Sequence, residues 1–316
     1  MFAVYAAHIN ADDPLSGLVV GEQPEPDVPA GWTTVSVRAA SLNHHDLWSL
    51  RGVGLRADRL PMILGCDAAG VDPDGNEVIV YPVVPDSTDP RGLSLFSERY
   101  PGTLAERICV PPENLIPKPA DLSFLDAACL PTAWLTAYHM LTSRGRADEA
   151  ESVLVQGAGG GVATAAVVLA VAMGKRVYAT SRDAAKRDRI TQLGATALDS
   201  GARLPERVDI VIESVGAPTF DHSMKSSNPG ARIVVAGATG GHQATVDLRR
   251  VFAMRLDILG ATMGTAAELT ALVDFLMARN LRPIIDSVYG FTAVADAFAR
   301  LESGAVFGKV VVDHLH

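Results

Sequence analysis

Residues 152–163 read SVLVQGAGGGVA, an apolar strand-forming run that passes into a cluster of glycines and then into small apolar residues. The same rhythm recurs along the next hundred residues: RVYATS at 176–181, the helix-length AAKRDRITQLG at 184–194, DIVIES at 209–214, ARIVVAG at 231–237 and LDILGAT at 256–262. Apolar runs this short, each followed by a segment of helix length, are strands buried on both faces and joined by crossover helices. A doubly wound α/β domain with a parallel sheet is therefore expected from about residue 120 to 284.

The remainder has a different texture. TTVSVRAA at 33–40 and EVIVYPVV at 77–84 are short alternating runs separated by turn signals such as DPDGN at 72–76, which predicts a β-rich barrel or sandwich over 1–119. PPENLIPKPADLS at 111–123 carries four prolines and reads as a connector between domains. The tail from Pro283 ends in the strand-like GKVVVDHLH and is expected to complete the first domain over 285–316.

A chain of 316 residues suits two domains, and a formal charge of −9 opposes attraction to nucleic acid or to anionic lipid, so the expected partner is a small molecule. No apolar run reaches membrane-spanning length, and FAVYAAHI after Met1 lacks the basic segment, long apolar stretch and cleavage site of a signal peptide, which predicts a cytoplasmic protein. Cys66, Cys109 and Cys129 are odd in number and form no CxxC, so neither a disulfide framework nor a zinc ribbon is expected.

A strand, a glycine turn and a helix start place unpaired N–H groups at the positive end of a helix dipole, a cradle for pyrophosphate. Gly157, Ala158, Gly159, Gly160, Gly161 and Val162 are its candidate residues, in a dinucleotide site in the first βαβ unit. The end of the second strand, about 20 residues on, tells which dinucleotide: a carboxylate accepts from a ribose hydroxyl, whereas a 2′-phosphate needs donors and positive charge. Ser181, Arg182 and Lys186 offer donors, while Asp183 reads as a helix cap, and NADPH is the expected cofactor.

The chain resembles the medium-chain dehydrogenase/reductase superfamily, and within it the zinc-independent quinone oxidoreductase-like branch, over nearly its whole length. The resemblance lies in LNHHDLWSLRG (42–52), ILGCDAAG (63–70), GTLAERICVPPENLIPKP (102–119), LPTAWLTAYHML (130–141), DIVIESVG (209–216), VDLRRVF (246–252), ILGATMG (258–264) and FGKVVV (307–312). It implies a GroES-like catalytic domain around a Rossmann nucleotide-binding domain. Zinc-dependent relatives carry a cysteine in the segment matching LNHHD and a histidine where Cys66 stands, and the four-cysteine zinc lobe is replaced by residues 82–101, which hold no cysteine. No metal is expected.

Without a Lewis acid an isolated carbonyl is hard to polarise, whereas a quinone or an α,β-unsaturated carbonyl spreads incoming charge onto an oxygen that hydrogen bonds can stabilise. The resemblance then implies roles for Asn43 as donor to that oxygen, His44 as a proton donor, and Thr136 against the nicotinamide. It also places Gly237, Ala238, Phe307, Gly308 and Lys309 near the cofactor. Asp46 reads as an anchor of its loop and Cys66 as a packing residue. The expected activity is NADPH-dependent reduction of a quinone or enone. The alternatives are an enoyl-thioester or aldehyde reductase and a non-catalytic, crystallin-like NADPH-binding protein. The apolar edge around LDILGATMG implies a homodimer.

Overall fold

The computed structural model describes residues 1–315, which fold as two compact units, one formed by Met1–Thr132 with the C-terminal stretch from Ile285, the other by Ala133–Ile284. In the first unit the strand Thr33–Ser41 is the hub. It pairs antiparallel with Asp67–Val71, with Arg107–Val110 and with the last strand, Lys309–Asp313, which in turn lies parallel to Ile285–Gly290. Alternation along Thr33–Ser41 sends Val35 and Val37 into a core shared with Leu104, Ile108, Phe298 and Val312.

In the second unit six parallel strands run in the order Thr196–Leu198, Arg176–Thr180, Ser152–Val155, Val208–Glu213, Ser227–Val235, Asp257–Gly260. That is the doubly wound Rossmann order, with the topological switch beside Ser152–Val155, the strand that opens the glycine loop. All four residues of this strand are buried, which explains the apolar run Val153–Val155. The helix Gly161–Ala172 packs on the sheet through Ala163, Ala165, Ala166 and Ala170, side chains small enough for close approach.

The segment 120–132, expected with the second domain, belongs to the first unit. Leu122, Ala127 and Ala128 are buried there, and Ser41 Oγ donates to Ala128 O at 2.8 Å. The prolines mark an irregular path, but the apolar residues after them decide which core the path joins. Residues 82–101, where a zinc lobe was missing, fold as a hairpin, Val83–Pro85 with Leu93–Leu95, closed by Arg99 on Asp86. Among the described residues no helix is long and apolar enough to cross a membrane.

Helix starts in the second unit are capped by side chains, as Asp183 and Asp247 each accept two backbone N–H groups. Thr265 and Glu268 form a capping box on Ala266–Ala278, and Glu268 also takes hydrogen bonds from Ser143 and, at 2.8 Å, His139. Partial burial works against its charge, yet Ser143, the Thr265 N–H and His139 together pull the carboxyl down to about 2. A folded-state value below the unfolded one stabilises the fold fully above about pH 4.5, and the contribution is lost as pH falls toward about 2. The urea midpoint should therefore decline across that window, and Glu268→Gln should lower the neutral-pH midpoint while flattening the decline. An unchanged acid limb in the variant would refute the assignment.

Candidate active and cofactor site

Two groups of predicted residues lie in the two units. In the Rossmann unit Gly157 adopts φ +64°, and a Cβ there would lie 2.4 Å from Val215 Cγ2, so glycine is required both by conformation and by space. The N–H groups of Gly157 and Ala158 do not face outward. They donate to Thr180 Oγ1 at 3.1 Å and Thr180 O at 2.7 Å, which corrects their expected role: they fix the loop to the second strand instead of offering N–H groups to a ligand. Thr180 is itself held by Gln156 Oε1 at 2.7 Å, and Gln156 Nε2 reaches His222 and Ser223.

The partly exposed stretch that opens the helix begins at Gly160. Gly160 is the N-cap of Gly161–Ala172 and supplies no side-chain cap, so the first-turn N–H groups there, Val162 included, are left for another acceptor. A Cβ on Gly159 would meet Lys186 Cδ at 3.0 Å and Nζ at 3.2 Å, placing the ammonium directly over the glycine loop. Sequence separation hid this pairing. Arg182 is exposed, Ser181 is buried with its Oγ accepting from the Asp183 N–H at 3.3 Å, and Asp183 caps its helix as expected.

Gly237 and Ala238 sit in the loop after Ser227–Val235, and that loop is stitched to the turn after Val208–Glu213. Gly240 N donates to Val215 O at 2.8 Å and Ala217 N to Gly241 O at 3.0 Å. Val215 also covers Gly157, so three strand-end loops converge at the carboxyl side of the sheet. Thr136 is buried, its hydroxyl directed at Met263 Sδ at 3.8 Å.

In the first unit the helix His44–Leu50 is capped by Asn43, whose N–H donates to Asp46 Oδ2 at 2.8 Å while Asp46 Oδ1 accepts from Gly65 N at 3.0 Å. Asp46 is thus the loop anchor. Behind it lies a group that sequence reasoning missed. Lys309, 2 % exposed, donates to Leu42 O at 2.7 Å, Asn43 Oδ1 at 2.6 Å and Asp67 Oδ2 at 3.1 Å. The fully buried Asp67 Oδ2 also accepts from Ser41 Oγ at 2.9 Å and Asn43 Nδ2 at 2.8 Å. Lys309, expected near the cofactor, spends its charge in this interior and is not available to a phosphate. Phe307 is likewise buried, with its N–H on Asp286 Oδ1 at 2.9 Å, and Gly308 supplies φ +108° between the two. The sequence signal was the lysine itself, a cation inside the apolar run VFGKVVV that demands a buried acceptor.

The neighbouring histidines diverge. His44, expected as a proton donor, is held below the ordinary histidine value by desolvation and by the Lys309 and Arg51 charges. His45 places Nδ1 3.4 Å from Cys66 Sγ and Nε2 3.1 Å from Glu98 Oε1. Burial opposes its charge, but Cys66, Glu98 and Asp46 outweigh that and raise it well above the ordinary value. Burial pushes the Cys66 thiol up, and the sulfur donates to Phe96 O at 3.2 Å.

Gly157→Ala should cost about 1–3 kcal/mol through its left-handed backbone alone, with the Val215 clash in addition. Chemical denaturation would read this directly; a loss below about 0.5 kcal/mol would contradict the crowding at this turn.

The chain matches two protein families, an alcohol dehydrogenase GroES-like domain over residues 29–120 and a zinc-binding dehydrogenase over 187–312. It is similar to the 2-methylene-furan-3-one reductase of Solanum lycopersicum, 30% identical over 91% of this chain and 73% of that protein. It is also similar to the acryloyl-coenzyme A reductase of Metallosphaera sedula, 27% identical over 94% and 96%. A crystal structure of an NAD-dependent alcohol dehydrogenase superposes with a TM-score of 0.88 at 31% identity, covering 99% of both chains. With the Rossmann strand order and the β-rich unit closed by its own C terminus, these matches show that the chain belongs to the medium-chain dehydrogenase/reductase superfamily of oxidoreductases.

Proposed function

We propose that the protein is a zinc-independent, NADPH-dependent reductase that delivers hydride to a quinone or to the β-carbon of an α,β-unsaturated carbonyl. The observation that carries the reading is the Asn43 amide, held by Lys309 and Asp67 with one N–H to spare.

Zinc is the family's usual means of polarising a carbonyl, and the residues here do not fit it. His45, Asp46 and Cys66 bring one ligand atom each within 4.8 Å of one another, but every one is engaged. Both Asp46 oxygens accept backbone N–H groups, Cys66 is a thiol bonded to a carbonyl, and both His45 nitrogens have partners. A tetrahedral site needs three or four ligands whose free lone pairs converge on one point.

The cofactor does fit. The uncapped first turn at Gly160, Gly161 and Val162 suits the pyrophosphate, and Lys186 over Gly159, with Arg182 and Ser181 nearby, suits a 2′-phosphate better than a ribose hydroxyl. When bound, NADPH supplies the hydride. Charge that arrives on the substrate is then carried by its carbonyl oxygen, where the remaining Asn43 N–H stabilises it, and solvent or His44 supplies the proton. The ketone with a conjugated methylene named in the Solanum relative supports an enone; the acryloyl-coenzyme A named in the Metallosphaera relative keeps an enoyl thioester as the second reading. The exposed Ile258 in the edge strand Asp257–Gly260, with the exposed Leu248 and Phe252 on the helix before it, supports a homodimer, which sedimentation would read as twice the mass of one chain.

Nicotinamide fluorescence should show tighter binding of NADPH than of NADH, and 9,10-phenanthrenequinone added to the same sample should consume the signal. Lys186→Ala should narrow the preference by about 1–2 kcal/mol. Asn43→Ala should lower kcat by about 10²-fold with little change in NADPH affinity. Chelators should leave turnover intact; loss of activity with release of stoichiometric zinc would refute the metal-free reading, and binding without turnover on any acceptor would favour a non-catalytic role.

A further inference from the structure

We propose that Lys309 and Asp67 are positioning residues for Asn43, fixing its side-chain amide in one orientation so that a single N–H is presented to the substrate oxygen. The inference deepens the reduction proposed above and rests on it for its kinetic part.

A primary amide has two orientations related by a flip, and only its partners choose between them. Lys309 is a donor without acceptor capacity, and it lies 2.6 Å from Asn43 Oδ1; an ionised Asp67 is an acceptor without donor capacity, and its Oδ2 lies 2.8 Å from Asn43 Nδ2. Flipping the amide would set NH₂ against the ammonium and the carbonyl oxygen against the carboxylate, two repulsions in an interior where Lys309 is 2 % and Asp67 0 % exposed. The backbone is fixed as well, since the Asn43 N–H is held by Asp46 Oδ2 and Lys309 also grips Leu42 O. Nδ2 makes this one hydrogen bond among the described residues, so its second hydrogen keeps a defined direction. Asn43 retains only a little exposed surface, and a donor so constrained loses little entropy on meeting an oxygen.

The alternative is an ion pair that only closes the unit. The two roles separate in a neutral replacement, Lys309→Met with Asp67→Asn, which leaves no unpaired buried charge, backed by Lys309→Gln with Asp67→Asn should the first pair fail to fold. Side-chain ¹⁵N hydrogen exchange of the Asn43 amide, assigned by its loss in Asn43→Ala, should accelerate by about tenfold or more in either variant. With an enone acceptor kcat should fall by about 10²-fold while NADPH affinity holds. In an Asn43→Ala background the same replacement should change kcat less than twofold, roughly, because its effect passes through the amide. Unchanged Asn43 exchange, or kinetic losses that multiply in the combined variant, would overturn the inference. Faster Asn43 exchange in a protein that turns over no acceptor would sustain the positioning of the amide and overturn the reductase reading instead.

Discussion

The first unit depends on a cation buried beside a carboxylate. Lys309 arrives on the last strand, Asp67 on an inner strand, and the two meet beneath the cap of the helix His44–Leu50. Burying such a pair costs several kcal/mol per ion before any return, and the cost is offset only where the remaining donors and acceptors are filled. Here the ammonium has three acceptors and Asp67 Oδ2 has three donors, although Asp67 Oδ1 has none. The balance holds only when Thr33–Ser41, Asp67–Val71 and Lys309–Asp313 are all in register, so a local charge requirement enforces the long-range return of the chain.

The second unit meets the same problem with a single carboxylate and no cation. Glu213, at the end of a central strand and fully buried, accepts from the N–H groups of Val215 and Gly216 and from the hydroxyls of Thr219 and Ser223. It therefore sets the turn that presses Val215 onto Gly157. Gln156 performs the corresponding task on the neighbouring strand, linking Thr180 to Ser223. The glycine loop is shaped from below by these hydrogen bonds, which is why two of its N–H groups face inward and only the later ones remain for a ligand.

The sheet, the glycine turn and the Asp183 cap were legible because they follow from periodicity and from contacts a few residues apart. Asp183 is an example: its carboxylate reaches N–H groups two and three positions away. What escaped were pairings between distant positions. Lys309 and Asp67 are 242 residues apart and His45 and Glu98 are 53 apart, and no local pattern specifies either. The segment 82–101 was legible as a missing zinc lobe but not as the source of Glu98, which supports His45 from a loop whose sequence carries no period. The domain boundary failed for a related reason, since prolines report where regular structure stops and not which core the next leucine enters.

His44 and His45 show how far chemistry can be read from residue type alone. Adjacent on a helix start, they point to different surroundings, one lowered by desolvation and by the Lys309 and Arg51 charges, the other raised by Cys66, Glu98 and Asp46 against the effect of burial. The second has partners at both ring nitrogens, Cys66 and Glu98. Under the proposed reaction the stabilisation of the substrate oxygen falls to Asn43, which needs no titration to act, so the rate should depend on how rigidly that amide is held.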